Sequence, residues 1–210
     1  MGEPEADTGS KLSRRGLLKA GAYGLAAVAG GGLAIGMAGP AQANQEQWKW
    51  CRRCEGLFFD GYTRKESYCP EPVPTGTGVG LIEPHDGSKS GNYHIKVASD
   101  GGHGQDGWTY CSLCRGMHFH PAGSDRWGSC PRYLGLFGHS DQPSWPYRIE
   151  TDDNKDDWGP GYEQDNWRWC HFCEGLWYNG HAGFGTCPAT TSGHSYFSSS
   201  NYVLRWTPGA

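Results

Sequence analysis

The sequence predicts an all-β protein built from three homologous, strand-rich repeats related by pseudo-threefold symmetry. Three observations predict it. A twelve-residue stretch holding two cysteines among aromatics recurs three times, and its copies begin 60 and then 59 residues apart. Short alternations of large apolar and polar residues surround each copy, and no stretch after residue 43 carries an amphipathic helical period. The composition, with 34 Gly, 10 Trp and 11 Tyr in 210 residues, suits short strands joined by tight turns.

The N-terminus stands apart from the repeats. Ser13-Arg14-Arg15-Gly16-Leu17-Leu18-Lys19 precedes an Ala/Gly-rich run from Ala20 to Ala38, followed by the small-x-small site Ala41-Gln42-Ala43. A basic region, an apolar region and a small-residue cut site read as an export signal. Its paired arginines resemble the twin-arginine signal of bacteria, which implies export of an already folded protein. The expectation is a signal over residues 1–43, cleavage after Ala43 and a secreted or extracytoplasmic chain, with membrane contact only through an uncleaved signal. No later segment has the apolar length to span a bilayer.

The repeats follow as 44–107, 108–166 and 167–210, together one domain. The opening stretches run Trp48–Phe59, Trp108–Phe119 and Trp167–Tyr178. Trp48-Lys49-Trp50 and Trp167-Arg168-Trp169 alternate as strands, and Leu57-Phe58-Phe59 and Leu176-Trp177-Tyr178 resume after the Cys-x-x-Cys turn. Each stretch is therefore a hairpin with a metal-binding turn at its tip. A third cysteine follows in each copy as Cys69-Pro70, Cys130-Pro131 and Cys187-Pro188, and then one histidine: His85, His139 or His194. From that histidine, a serine lies five positions on (Ser90, Ser144, Ser199) and a tyrosine eight positions on (Tyr93, Tyr147, Tyr202). The tyrosines open a last strand, as in Tyr93 to Val97. Only the interval from third cysteine to histidine varies, at 16, 9 and 7 positions, and the excess in the first copy, Pro72 to Gly78, reads as a loop insertion. Two fixed blocks joined by loops of free length are expected where one site draws ligands from both.

Nine cysteines, three per repeat, cannot pair as disulfides within the repeat symmetry. Adding the matched histidine completes a Cys3His set, a full tetrahedral complement for a structural zinc ion. The predicted sites are Cys51, Cys54, Cys69 and His85; Cys111, Cys114, Cys130 and His139; and Cys170, Cys173, Cys187 and His194. The glycine after each Cys-x-x-Cys turn, Gly56, Gly116 and Gly175, is expected to take the left-handed conformation that such a turn needs. A repeat of some 45 to 60 residues is too small for a large core, so metal makes energetic sense.

These spacings resemble a β-trefoil, which implies four strands per unit. Three are legible, and a fourth would lie near Arg64–Tyr68, Asp125–Gly128 and Phe184–Thr186. The alternative is three tandem zinc-ribbon-like modules, each nearly autonomous.

For function, the repeats after residue 43 carry 14 Lys/Arg against 19 Asp/Glu, which excludes the basic face that a nucleic-acid partner calls for. No serine-hydrolase elbow, phosphate loop, His-Glu-x-x-His or dinucleotide fingerprint occurs. The first expectation is a non-catalytic, zinc-stabilised binding module for carbohydrate or another cell-surface ligand. It would use part of the repeated aromatics, with Asn92, Asn201 and the serines, as three equivalent platforms. Two alternatives are a metal-handling protein with zinc or copper as cargo, and an unrecognised secreted hydrolase. His118 and His120, two apart on one strand, would share a face and offer a further metal pair; surface or satisfied histidines are the plainer reading. The spacing is silent on oligomeric state.

Overall fold

The computed structural model describes residues 44–61, 67–73, 81–156 and 162–208. The expected signal over residues 1–43 lies outside the described residues. Among those described there is no α-helix, and no helix is long and apolar enough to cross a membrane.

Eleven strands follow in chain order. The first repeat gives β1 (Asn44–Trp50), β2 (Leu57–Phe59), β3 (Pro72–Val73), β4 (Leu81–Ile82) and β5 (Asn92–Val97). The second gives β6 (Gln105–Tyr110), β7 (Met117–Phe119) and β8 (Pro146–Thr151). The third gives β9 (Tyr162–Trp169), β10 (Leu176–Tyr178) and β11 (Tyr202–Thr207). Each repeat folds the same way. The opening strand pairs antiparallel with the short strand after the turn, as in Trp48 opposite Phe59, and with the closing strand of its own repeat, as in Trp48 opposite Tyr93. Trp108 and Trp167 sit in the same register.

The three closing strands pair with one another and shut the sheet into a ring. The C-terminal half of β5 meets the start of β8 at Val97 and Tyr147. Likewise β8 meets β11 at Thr151 and Tyr202, and β11 returns to β5 at Thr207 and Asn92. A second ring joins the short strands. Phe59 N–H donates to Arg115 C=O at 3.0 Å, Phe119 to Glu174 at 2.8 Å and Tyr178 to Glu55 at 2.9 Å. Each repeat thus satisfies backbone groups on the next. The nine-stranded sheet runs through all three repeats, so the tandem-module alternative does not hold.

The core fills this frame. Trp48, Trp108 and Trp167 are fully buried, each set edge-on against the closing-strand tyrosine of a neighbouring repeat: Trp48 on Tyr147, Trp108 on Tyr202 and Trp167 on Tyr93. A glutamine three residues before each tryptophan knits the pair. Gln45, Gln105 and Gln164 accept the hydroxyl protons of Tyr147, Tyr202 and Tyr93, and Gln45 and Gln164 also accept the indole N–H of Trp48 and Trp167 at 3.1 Å. A buried tyrosine hydroxyl needs such a partner. The residue before each tryptophan, Gln47, Gly107 or Asn166, has φ of 72°, 96° or 64° and forms a bulge that turns the indole inward.

The fourth strand expected from the sequence does not form. Asp125–Gly128 and Phe184–Thr186 are irregular, Ser67 and Tyr68 likewise, and Arg64–Glu66 lie outside the described residues. The carbonyls of Trp127 and Phe184 accept from His139 and His194 of their own repeats at 2.8 Å, while Tyr68 N–H and that of the adjoining Ser129 reach the Cys114 and Cys173 carbonyls of a neighbouring repeat at 3.3 Å. The insertion of the first copy is in part a two-stranded ribbon, Pro72 opposite Ile82 and Val73 opposite Leu81.

One set of equivalent positions breaks the symmetry. Lys96, Glu150 and Arg205 occupy the same place on β5, β8 and β11, and their side chains are only 4%, 6% and 13% exposed. Lys96 Nζ lies 2.8 Å from Glu150 and 2.5 Å from Asp156, while Arg205 reaches Glu150 at 3.6 Å and Glu163 at 2.8 Å. Removing one partner of a buried pair leaves the other uncompensated. Lys96→Met is therefore expected to cost about 3–5 kcal/mol in a denaturant melt. The rings also predict one calorimetric transition for all three repeats. A stable fragment lacking the third repeat would contradict the shared sheet.

Candidate metal centres

The Cys-x-x-Cys turn is the local structure from which each centre grows. The first cysteine accepts from the fourth residue on, as in Glu55 N–H to Cys51 C=O at 2.9 Å, and its own N–H closes the loop onto Gly56 C=O at 2.9 Å. The same two bonds recur at Cys111 and Cys170. The left-handed residue of the turn is not the glycine. It is the residue before it, with φ of 65° at Glu55, 70° at Arg115 and 62° at Glu174. A Cβ at Gly56 or Gly116 would make ordinary contact with the second thiolate, at 3.5 Å, and only at Gly175, at 3.3 Å, would it be tight. The turn can seat a long polar residue in this conformation because its side chain is used nearby. Glu55 and Glu174 accept the indole N–H of Trp50 and Trp169, both at 2.7 Å.

The structure brings the twelve sequence-predicted residues together as three groups: Cys51, Cys54, Cys69 and His85; Cys111, Cys114, Cys130 and His139; Cys170, Cys173, Cys187 and His194. Within each group the ligand atoms lie within 4.8 Å of one another and all four side chains are buried. No disulfide forms, and all nine cysteines are free thiols. The histidine faces its site with Nδ1, 3.5 Å from Cys54, Cys114 or Cys173 Sγ. Three buried groups of this composition can each hold a metal ion.

Electrostatics asks for a cation. Burial pushes the Cys54 and Cys114 thiols well above their ordinary range, and contact with Cys170 and Cys187 does the same to Cys173. Three thiolates crowded into one buried site repel, and a divalent ion removes that penalty. The backbone is arranged for thiolates as well. The residue after each histidine donates its N–H to the first cysteine: Asp86 to Cys51 at 3.3 Å, Ser140 to Cys111 at 3.5 Å and Ser195 to Cys170 at 3.4 Å. Such donors orient the ligands and stabilise their charge.

An aromatic ring covers each imidazole. Phe58 stacks on His85 at 4.7 Å, His118 on His139 at 4.4 Å and Trp177 on His194 at 5.2 Å, with interplanar angles of 20°, 20° and 18°. His118 is therefore the second repeat's version of Phe58 and Trp177. It is fully buried, and burial together with His139 holds it well below the usual imidazole range, so it is neutral. His120 stacks on Trp127 instead. The pair forms no further metal cluster among the described residues.

Neighbouring repeats clasp each turn. His139 Nε2 donates to Cys173 C=O at 3.1 Å. Gly128 and Gly185, each two residues before a third cysteine, have φ of 62° and 58° and run against the Cys173 and Cys54 carbonyls, where a Cβ would come to 2.2 and 2.6 Å. Both conformation and contact require glycine there.

The polar residues expected to edge three ligand platforms are structural. Ser90, Ser144 and Ser199 accept the N–H of Trp50, Tyr110 and Trp169 at 2.7–2.8 Å and donate to the next carbonyl of their own chain. Asn92 and Asn201 accept from the bulge residues Gln47 and Asn166 at 2.8 and 2.9 Å. Trp48, Trp108 and Trp167 lie in the core, and Trp50, Tyr110 and Trp169 are partly buried against it. Motif spacing marks the serines but passes over the bridging glutamines, although Gln45, Gln105 and Gln164 hold the same place in every copy.

Gly128→Ala is expected to destabilise the second and third repeats together by more than the ~1 kcal/mol of an average point mutation, seen as a lower melting temperature with metal bound. Cys187→Ser should remove one metal of three and lower the stability of the whole chain, read by metal analysis and a thermal melt. Compared with known proteins, the chain matches no family model, no curated protein and no solved structure, so the work of these centres has to be read from their own chemistry.

Proposed function

We propose that this is an exported, non-catalytic binding protein whose fold is held by three structural zinc ions, and that it engages carbohydrate or another cell-surface ligand. The observation that carries the reading is the closure of each site. Three thiolates and one imidazole supply all four tetrahedral positions, every ligand is buried, and no position is left for substrate or hydrolytic water.

Zinc is favoured by the edges of the tetrahedra. Zinc–sulfur and zinc–nitrogen bonds of about 2.3 and 2.05 Å imply sulfur–sulfur and sulfur–nitrogen edges of about 3.8 and 3.5 Å. The paired first and third cysteines stand 3.8, 3.9 and 3.9 Å apart, and the cysteine–histidine pairs 3.5 Å apart in all three sites. A soft, thiolate-rich set with one imidazole suits zinc. Metal handling is the weaker reading, because cargo needs a way out and these ligands are enclosed by neighbouring repeats. The twin-arginine signal supports export after the metals are loaded, since the reducing cytosol keeps the thiols free.

The purified protein is expected to carry three zinc ions per chain with its nine thiols protected from alkylation until denatured. A structural zinc supplies on the order of 10 kcal/mol of apparent binding energy. Prolonged chelation should therefore unfold the chain, read by near-ultraviolet circular dichroism. Zinc that leaves within minutes from a chain that stays folded would make it cargo. Sending the same repeats through an export route for unfolded chains should give metal-poor, disulfide-scrambled protein, and a normal zinc-loaded product would sink the link between signal and sites.

A further inference from the structure

The three repeats act as internal controls for one another. A residue that recurs in all three, such as the clamp serine or the core tryptophan, is explained by the fold. A large apolar residue that appears once and stays exposed is not. The position after the clamp serine is Gly91 in the first repeat, Ser200 in the third and Trp145 in the second. Trp145 is 65% exposed. Gly91 is confined by packing, since a Cβ there would meet Trp206 at 2.3 Å. At the second repeat the space is open, and an indole fills its edge without being needed to seal a core.

Trp145 divides two clefts at the junction of the first and second repeats. On one side is a cleft of about 450 Å³, lined by Phe59, Tyr110, Tyr147 and Gln45. On the other is a cleft of about 350 Å³, lined by Asn44, Val97, Ser99 and Asp100. Both volumes fall in the range of small-molecule sites, roughly 300–1,000 Å³. The support beneath the indole is fixed. Ser144 Oγ donates to Trp145 C=O at 2.7 Å and accepts from Tyr110 N–H at 2.8 Å, and Tyr147 is tied through its hydroxyl to Gln45. Ser99 and Asp100 are exposed on the facing wall.

We infer that this junction is a carbohydrate subsite in which the exposed face of Trp145 stacks on a pyranose ring. The inference rests on the reading of the protein as a binding module and gives it a place and a ligand class. A flat indole suits the C–H face of a sugar whose hydroxyls are equatorial, as in β-linked gluco-configured chains. The two clefts beside it receive neighbouring residues of the chain, with Asn44, Ser99 and Asp100 as hydroxyl partners. The carboxylate of Asp100 and the acidic balance of the repeats select against uronate or sulfated sugars. One subsite per chain follows, because Gly91 and Ser200 offer no ring.

Calorimetric titration of the zinc-loaded protein with cellohexaose and chitohexaose, alongside a broad glycan array, tests this. Binding should fall about tenfold or more in Trp145→Ala, stay within a few-fold in Trp145→Tyr, and be unchanged in Phe197→Ala, an exposed aromatic elsewhere. Metal content and melting temperature should match wild type in all three, which separates loss of a ligand contact from loss of fold. If wild type binds a glycan and Trp145→Ala binds it equally well, the subsite is overturned while the binding-module reading stands. If only acidic glycans bind, the ligand class is wrong. If no glycan binds, the subsite and the carbohydrate form of the proposed function fall together.

Discussion

Everything in this fold hangs on a short turn that would not persist alone. The strands after the Cys-x-x-Cys turns are three residues long, below the length at which a hairpin is stable in water. They are held at one end by four converging ligand atoms and along their length by the turn of the next repeat. The left-handed residue at Glu55, Arg115 or Glu174 aims its carbonyl at that neighbour, so the geometry that wraps a metal also closes the ring. Ligation and repeat association are one constraint seen from two sides.

The core follows the same circular logic. Each tryptophan packs against a tyrosine from another repeat, and a glutamine beside the tryptophan satisfies the tyrosine hydroxyl. No repeat can complete its apolar layer or its hydrogen bonding alone. This is how a domain with few aliphatic residues reaches a packed interior: aromatic rings supply large buried area, and their polar edges are matched across repeat boundaries. Residues absorbed in this closure are spent on the fold, and the three repeats differ chiefly where a side chain stands outside it.

Much of this was legible in the chain itself. The hairpins, the closing strands and the twelve ligands follow from alternation and from spacing kept across three copies. Handedness within the turn was misread, because glycine is the usual left-handed residue and motif reading assigns that role to it. Here Glu55, Arg115 and Glu174 take it, and none of the three glycines has a positive φ. The fourth strand is an expectation from an analogy of repeat size, yet the loops at Asp125–Gly128 and Phe184–Thr186 turn back on their own repeats, where Trp127 and Phe184 C=O accept from His139 and His194 N–H. His118 reads as half of a histidine pair because His120 lies two positions on; stacking geometry shows that it does the same job as its equivalents Phe58 and Trp177. The bridging glutamines were in plain view but carry no motif, since their partners lie one repeat away.

The buried charges on the closing strands bear on the order in which the repeats can stand. Three identical copies of the first repeat would set three lysines together, three of the second would set three carboxylates, and three of the third three guanidinium groups. None of these could be buried without counter-ions. The opposite charges of Lys96, Glu150 and Arg205 therefore make the three copies specific to their order. Exchanging two repeats today would bring the wrong neighbours to Asp156 and Glu163, so the present sequence is a circle with a fixed reading direction.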